Sequence, residues 1–197
     1  MVEEGRNEGD TADGEAALGL ARGTVELRAH RPEWHAAYAS EADRLRELLG
    51  DGLCGVEHVG STAVEGLPAK PVVDVLGLVA DLETAREFVA PLTAAGYEHR
   101  PGDVSGRVFL AKGPPSNRTH YLSLAPAGGQ IHREQVAFRE YLRSHPRTAA
   151  RYARLKRELA TRYPGERDDY TAAKEPFVAE VLSTALAAGY GPETKER

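Results

Sequence analysis

Short strand-like runs and helical periodicity occupy different parts of this sequence, and their order constrains the fold. Five short runs bounded by Gly, Pro or turn residues predict strands at 53–59, 72–79, 97–100, 107–112 and 119–124. Helical periodicity predicts helices at 32–49 and 81–95, and after Gly129 at 130–144, 146–163 and 168–188, with Pro176 as a kink or restart. The order αββαβββ followed by ααα predicts an α+β fold, in which a sheet domain is capped by a C-terminal helical bundle.

The composition is that of an ordinary globular protein. Hydrophobic residues make up 41% and charged residues 28% of the chain, which excludes a wholly disordered or membrane-embedded protein. The net charge of −5 makes a nucleic-acid partner unexpected. The lone Cys54, and a start without the basic-then-apolar pattern of a secretory signal, predict a cytoplasmic protein.

The charge distribution predicts the organisation of the chain. Residues 1–22 carry six acidic side chains against two basic ones and few large apolar residues, so we expect a disordered acidic tail. The sheet part is then expected at 23–129, the helical part at 130–190 and a flexible tail at 191–197. Residues 130–163 carry nine basic side chains against three acidic ones, which places a basic surface on the helical part.

The segment 57–76 has the layout that phosphoryl or nucleotidyl transfer requires. Gly60 allows close backbone approach to an anion, and Ser61 and Thr62 offer hydroxyl groups. Asp74, on the following predicted strand, is placed to hold a divalent cation against bound phosphates. The alternative interpretation is a simple Gly-Ser turn and a solvated aspartate. However, an aspartate is disfavoured inside the apolar run 72–76, and a buried charge needs a partner.

The string EHVGSTAVEGLPAKPVVDV at residues 57–75 closely resembles the signature of the GrpB family. The similarity continues through 138–146, 152–156 and 170–177, and it covers about residues 25–188. It implies a nucleotidyltransferase-like mixed sheet, with Gly60 and Ser61 at the phosphate-binding turn. Asp74 would be the first metal-binding carboxylate, for Mg²⁺ or Mn²⁺. In some actinobacterial proteins a similar domain is fused to dephospho-CoA kinase.

Several basic and histidine residues are further candidates for the site. Arg139, Lys156 and Lys174 coincide with the family pattern, and Lys70 precedes the strand of Asp74, so all four are predicted to contact phosphate. His58 and His120 are predicted to act as general acids or bases, or to donate hydrogen bonds to a phosphate group. The alternatives are solvated helix and loop cations and hydrogen-bonded structural histidines.

The sequence departs from the family pattern of an active transferase. Leu76 occupies the position of the second metal-binding acid, and the strand 119–124 offers His120 but no carboxylate. One aspartate with two histidines is a poor magnesium site.

Three hypotheses remain open. The first is metal-dependent nucleotidyl transfer from an NTP to a small molecule, with Glu57 or Glu65 assisting Asp74. The second is a degenerate domain that binds a nucleotide or phosphorylated metabolite, CoA-related by the fusion analogy, without transfer. The third is a protein interaction module that uses the basic bundle and acidic tail.

Overall fold

A five-stranded mixed sheet lies at the centre of the computed structural model, which describes residues 18–102 and 105–192. The strands are β1 (Gly55–Val59), β2 (Val73–Val79), β3 (Tyr97–His99), β4 (Val108–Lys112) and β5 (His120–Pro126). Their spatial order is β1-β2-β5-β4-β3. Strands β2 and β5 are parallel, and the other neighbours are antiparallel. The predicted strands, the mixed sheet and the α+β class are confirmed.

Three helices cover one face of the sheet: α1 (Glu33–Leu49), α2 (Leu82–Glu87) and α3 (Val89–Ala94). The buried Trp34 and Leu45 of α1 pack in one cluster with Val73, Val75 and their neighbours on the sheet. The segment 81–95, which the sequence predicts as one helix, forms two short helices that meet at Phe88. Pro91 explains the break, because proline has no amide hydrogen to continue the first helix.

The remaining helices lie on the opposite side of the sheet: α4 (Gln130–Ser144), α5 (Pro146–Arg162), α6 (Arg167–Ala172) and α7 (Glu175–Ala187). Helix α4 packs on β1 and β5, α5 and α7 pack on α4, and α6 packs on α5. The predicted helix 168–188 is divided into α6 and α7, and Pro176 lies in the first turn of α7, as its restart position predicted.

The alternation of side chains along β2 separates the two faces. Val73 and Val75 face α1, whereas Leu76 and Leu78 pack with Ile131 of α4. Asp74 shares the face of Leu76, because successive strand residues point to opposite sides. Asp74 therefore faces the C-terminal helices.

The segment 18–22 contacts the sheet domain. Leu18 packs against the core, the Gly19 amide donates to the Pro71 carbonyl at 2.7 Å, and Leu20 pairs with Arg118. Residues 18–22, which the sequence analysis includes in the expected tail, are therefore joined to the sheet domain. The expectations for residues 1–17 and 193–197 lie outside the described residues. Among the helices in the described ranges, none is long and apolar enough to cross a membrane.

Candidate anion-binding site

A cavity of about 250 Å³ lies between the turn after β1, strand β2 and the C-terminal helices. Seven of the ten predicted site residues line this cavity: Gly60, Ser61, Thr62, Lys70, Asp74, Lys156 and Lys174. They come from the loop between β1 and β2, from β2 itself, from α5 and from the junction of α6 and α7. The fold thus brings together side chains that lie up to about a hundred residues apart in the sequence.

Gly60 allows the carboxylate of Asp74 to lie against the turn. Its φ of +71° is in the region that favours glycine. A Cβ atom built at Gly60 would be 2.4 Å from Asp74 Oδ2, which is too close for a real contact. Both the backbone conformation and the proximity of Asp74 therefore require glycine here.

The Ser61 hydroxyl is held by two side chains of α5. Lys156 Nζ donates to Ser61 Oγ at 2.9 Å and also to the Pro68 carbonyl. Tyr152 shares a side-chain hydrogen bond with Ser61, and its ring centroid lies 4.7 Å from Lys156 Nζ. Lys156 is only 2% exposed, so its charge is held inside the protein beside the serine.

Four cationic side chains face a single carboxylate. Lys70, Lys156, Arg167 and Lys174 line the cavity, and Asp74 is the only acid among the described residues around it. The ammonium groups of Lys70 and Lys174 lie 5.5 and 4.2 Å from the ring centroid of Tyr170, so both are within cation–π distance of the same ring. The cavity therefore carries an excess of positive charge.

The pKa values of the lysines reflect this crowding. Burial lowers the pKa of Lys156 to about 7, and the nearby charges of Lys174 and Arg157 act in the same direction. Burial also lowers the pKa of Lys70 and of Lys174 to about 8, and the charges of Arg167 and of Lys70, respectively, add to it.

Burial raises the pKa of Asp74, and the neighbouring cations, Lys70 foremost, oppose that rise. A bound anion would reduce the repulsion among the cations and favour their charged forms.

Both predicted catalytic histidines lie on the opposite face of the sheet. His58 pairs with Val75, and its ring stacks on Tyr38 of α1 at a centroid distance of 4.6 Å. Its Nε2 is 2.9 Å from Thr62 Oγ1, and burial, together with His35, lowers its pKa to about 3. The structure therefore does not bring His58 together with Asp74. Instead, His58 shares a hydrogen bond with the Thr62 hydroxyl group from the opposite face of the sheet.

His120 is also turned away from the cavity. It pairs with Val73, whereas the next residue on β5, Tyr121, pairs with Asp74. Burial lowers the pKa of His120, and its Nδ1 is 3.0 Å from Thr119 Oγ1. His120, like His58, is therefore not brought into the cavity.

Arg139 supports strand β1 rather than the cavity. Its Nη1 donates to Glu57 Oε2 at 2.8 Å and to the His58 carbonyl at 2.7 Å, and its Nε donates to Glu140 at 2.7 Å. Arg139 does not line the cavity, so the structure does not bring it together with the other predicted phosphate-binding residues. Glu57 is paired with this arginine and Glu65 lines a different hollow, so neither is placed to assist Asp74.

The structure adds residues that the sequence did not single out as site residues. Arg167, at the start of α6, lies 5.1 Å from the ring centroid of Tyr121, and both line the cavity. The buried Tyr152 and Tyr170 form its aromatic walls. Arg167 lies in a densely charged stretch without a distinguishing pattern, so no local signal separates it from its neighbours.

The side chains around Asp74 do not fit a divalent-metal centre. Magnesium and manganese prefer several oxygen ligands, most of all carboxylates. Leu76, at the expected second acid, is buried in an apolar cluster, and the β5 partner of Asp74 is Tyr121. Within residues 18–102 and 105–192 there is no group of three His, Cys, Asp or Glu side chains that could hold a metal ion. The four surrounding cations would also repel a divalent cation.

Comparison with known proteins identifies the family. The family model described as GrpB protein matches residues 24–184. The chain belongs to the GrpB family. A UPF0157 protein of Pseudomonas aeruginosa is 41% identical over 172 residues, which cover 85% of this chain and 70% of that protein. The crystal structure of GrpB from Enterococcus faecalis, at 33% identity, covers 83% of this chain and 98% of its own with a TM-score of 0.76.

Two further similarities involve larger proteins. A dephospho-CoA kinase of Mycolicibacterium paratuberculosis is 31% identical over 193 residues, and this chain spans 47% of its length. Cid1 poly(U) polymerase overlaps 69% of this chain and 43% of its own at 16% identity and a TM-score of 0.48. An overlap of that size supports no statement about activity.

Proposed function

We propose that this GrpB-family chain binds a phosphate-bearing small molecule, a nucleotide or phosphorylated metabolite, in the cationic cavity. The observation that carries the proposal is the convergence of four cations on one half-buried carboxylate beside a Gly-Ser turn. Desolvated cations that lack enough counter-charges are costly. An anion of two or more charges would supply that counter-charge.

The cavity residues would share the work of binding. Lys70, Lys174 and Arg167 are positioned to donate charge-assisted hydrogen bonds to phosphate oxygens. Lys156 and Tyr152 orient the Ser61 hydroxyl, and Asp74 neutralises part of the positive charge. The ring of Tyr170 contacts two of these lysines, Lys70 and Lys174.

Binding without metal-dependent transfer is the function that this geometry favours. Two-metal nucleotidyl transfer needs several carboxylates around the metals. Here a single carboxylate is surrounded by cations, and the predicted assisting acids and histidines lie elsewhere. We therefore propose ligand binding in preference to Mg²⁺- or Mn²⁺-dependent nucleotidyl transfer.

A calorimetric titration tests this proposal. Inorganic phosphate, pyrophosphate, ATP and CoA are titrated into the full chain, each with EDTA and then with Mg²⁺ or Mn²⁺. CoA is included because one relative is named dephospho-CoA kinase. We expect at least one phosphate compound to bind in EDTA. Lys174→Met should weaken that binding by about 10- to 100-fold, the effect of losing a charge-assisted hydrogen bond.

Arg154→Met is the matched control, because Arg154 is exposed on α5 and pairs only at 3.8 Å with Glu158. It should leave the affinity unchanged. Absence of binding by all four compounds would refute the proposal. Binding that occurs only with a divalent metal, or release of pyrophosphate from ATP at catalytic turnover, would instead favour the transferase hypothesis.

A further inference from the structure

A second chamber of about 340 Å³ adjoins the cationic cavity. Gly60, Asp74 and Tyr121 line both spaces, so they form the boundary between them. The second chamber extends from this boundary towards α4 and α7, where Gln135, Phe138, Val178 and Leu182 lie. A single ligand that extends past Asp74 would therefore occupy both the cationic cavity and the second chamber.

The walls of the second chamber are mainly apolar and aromatic. They include Val59, Phe109, Tyr121, Phe138, Val178 and Leu182. Val59 is buried, and the other five side chains are half-buried. Apolar side chains between a sheet and the helices packed on it are normally buried. The rings of Phe109 and Tyr121 are tilted, with centroids 5.4 Å apart, and present aromatic surface to the chamber. These walls suit a ring far better than a phosphate group.

A few polar groups lie among the apolar walls. Arg107 donates to Ser123 Oγ at 3.0 Å, and its guanidinium carbon lies 4.7 Å from the centroid of Phe109. Glu134 and Gln135 approach from α4. An apolar hollow with a small number of polar groups is typical of sites for small organic molecules, since the polar groups fix the orientation of a ring.

The volumes indicate that one ligand uses both spaces. Pockets for small organic ligands usually enclose roughly 300–1,000 Å³. The cationic cavity, at about 250 Å³, falls below that range, and the second chamber, at about 340 Å³, lies near its lower end. Each space also offers only half of the chemistry of an organic phosphate.

We propose that the second chamber binds the aromatic ring of a phosphate ester whose phosphate occupies the cationic cavity. The ligand class is then a ring-bearing phosphate ester of about the size of a nucleoside monophosphate, rather than inorganic phosphate or a simple sugar phosphate. This inference rests on the proposed function. It adds Phe109, Phe138, Val178 and Leu182 as the residues that determine specificity.

The test compares phosphate esters with and without an aromatic base on the full chain, in EDTA. Ribose 5-phosphate, which has a sugar ring but no aromatic ring, is the reference, and the four common ribonucleoside 5′-monophosphates are the probes. At least one monophosphate should bind about tenfold tighter than ribose 5-phosphate, because ring stacking and burial add to phosphate binding. Inorganic phosphate is measured alongside to establish that the cationic cavity binds anions.

A variant whose side chain fills the second chamber tests the inference directly. Val178→Trp should remove the advantage of the monophosphate and leave the affinity for ribose 5-phosphate within about twofold, because tryptophan occupies the space of the ring. Leu186→Trp is the matched control, since Leu186 is exposed on the same helix. Leu182→Trp replaces the first variant if that variant does not fold.

The outcomes separate this inference from the proposed function. If ribose 5-phosphate binds and no monophosphate exceeds it, the ring site is refuted and the anion site stands. If a monophosphate keeps its advantage in folded Val178→Trp or Leu182→Trp protein, the ring lies elsewhere and the inference is also refuted. If neither inorganic phosphate, nor ribose 5-phosphate, nor any monophosphate binds, the anion site fails, and the inference that rests on it fails too.

Discussion

Lys156→Met tests whether the anion-free cavity holds positive charge at a cost to stability. Methionine is close to lysine in length and flexibility, so it can keep contact with Tyr152 while removing the charge. Burial lowers the pKa of Lys156 from 10.5 to about 7. At 1.36 kcal/mol per pKa unit, and with half of the folded protein deprotonated at this lysine at pH 7, the shift lowers the free energy of unfolding by about 4 kcal/mol. The lost bonds to Ser61 and Pro68 would cost about 3 kcal/mol together. We therefore expect the variant to be as stable as the wild type, or about 1 kcal/mol more stable, at pH 7.

The pH dependence provides the clearer signal. The folded pKa of Lys156 lies below its unfolded value, so the folded state binds fewer protons and its stability rises with pH above about 7. For this lysine alone the rise between pH 7 and pH 9 is about 2 kcal/mol. Lys156→Met should lose the increase in stability with pH that is due to Lys156. It should keep the increases due to Lys70 and Lys174, whose pKa values are also lowered.

Urea unfolding in phosphate-free buffer at pH 7, 8 and 9 measures these quantities. The single tryptophan, Trp34, is fully buried and reports unfolding by fluorescence. Arg154→Met, an exposed cation on the same helix whose charge is not among those that lower the pKa of Lys156, is the control and should retain the wild-type pH slope. The reasoning fails if Lys156→Met loses about 3 kcal/mol at pH 7 and keeps the full slope, because the lysine would then only be a packed structural residue.

Two further predictions concern stability. Gly60→Ala and Gly66→Ala both place alanine at a positive φ, of +71° and +74°, but only the first meets Asp74. Both should lose about 1–2 kcal/mol, and Gly60→Ala should lose about 1–3 kcal/mol more in urea unfolding, so equal losses would contradict the close contact. His58, with its pKa lowered to about 3, stabilises the fold above pH 6.5, and this stability is lost as the pH falls towards 3. Between pH 6.5 and pH 4.5 the wild type should lose about 2–3 kcal/mol more than His58→Gln, and parallel curves for the two proteins would show that His58 is accessible to protons in the folded state.

The local pattern of the sequence contains much of this fold and part of the site. Short runs bounded by Gly and Pro mark all five strands, because strand and turn preferences are properties of neighbouring residues. The turn at Gly60 and Ser61 and the aspartate inside an apolar strand are visible for the same reason. Lys156 and Lys174 were selected through the resemblance to the family, since no local signal separates them from the other cations of the helical part.

The pairing of strands and the docking of helices decide the rest. Strand alternation shows that His58 and Val59 point to opposite faces, but only the pairing of Val59 with Asp74 shows which of them shares the face of the cavity. In the same way, Arg139 and Lys156 are both basic residues of helices, yet one is bound to β1 and the other reaches Ser61. A chain specifies periodicity and turns through contacts between near neighbours. The face that a side chain presents to a site depends on contacts between segments far apart in sequence, and these exist only once the sheet and the helices have packed.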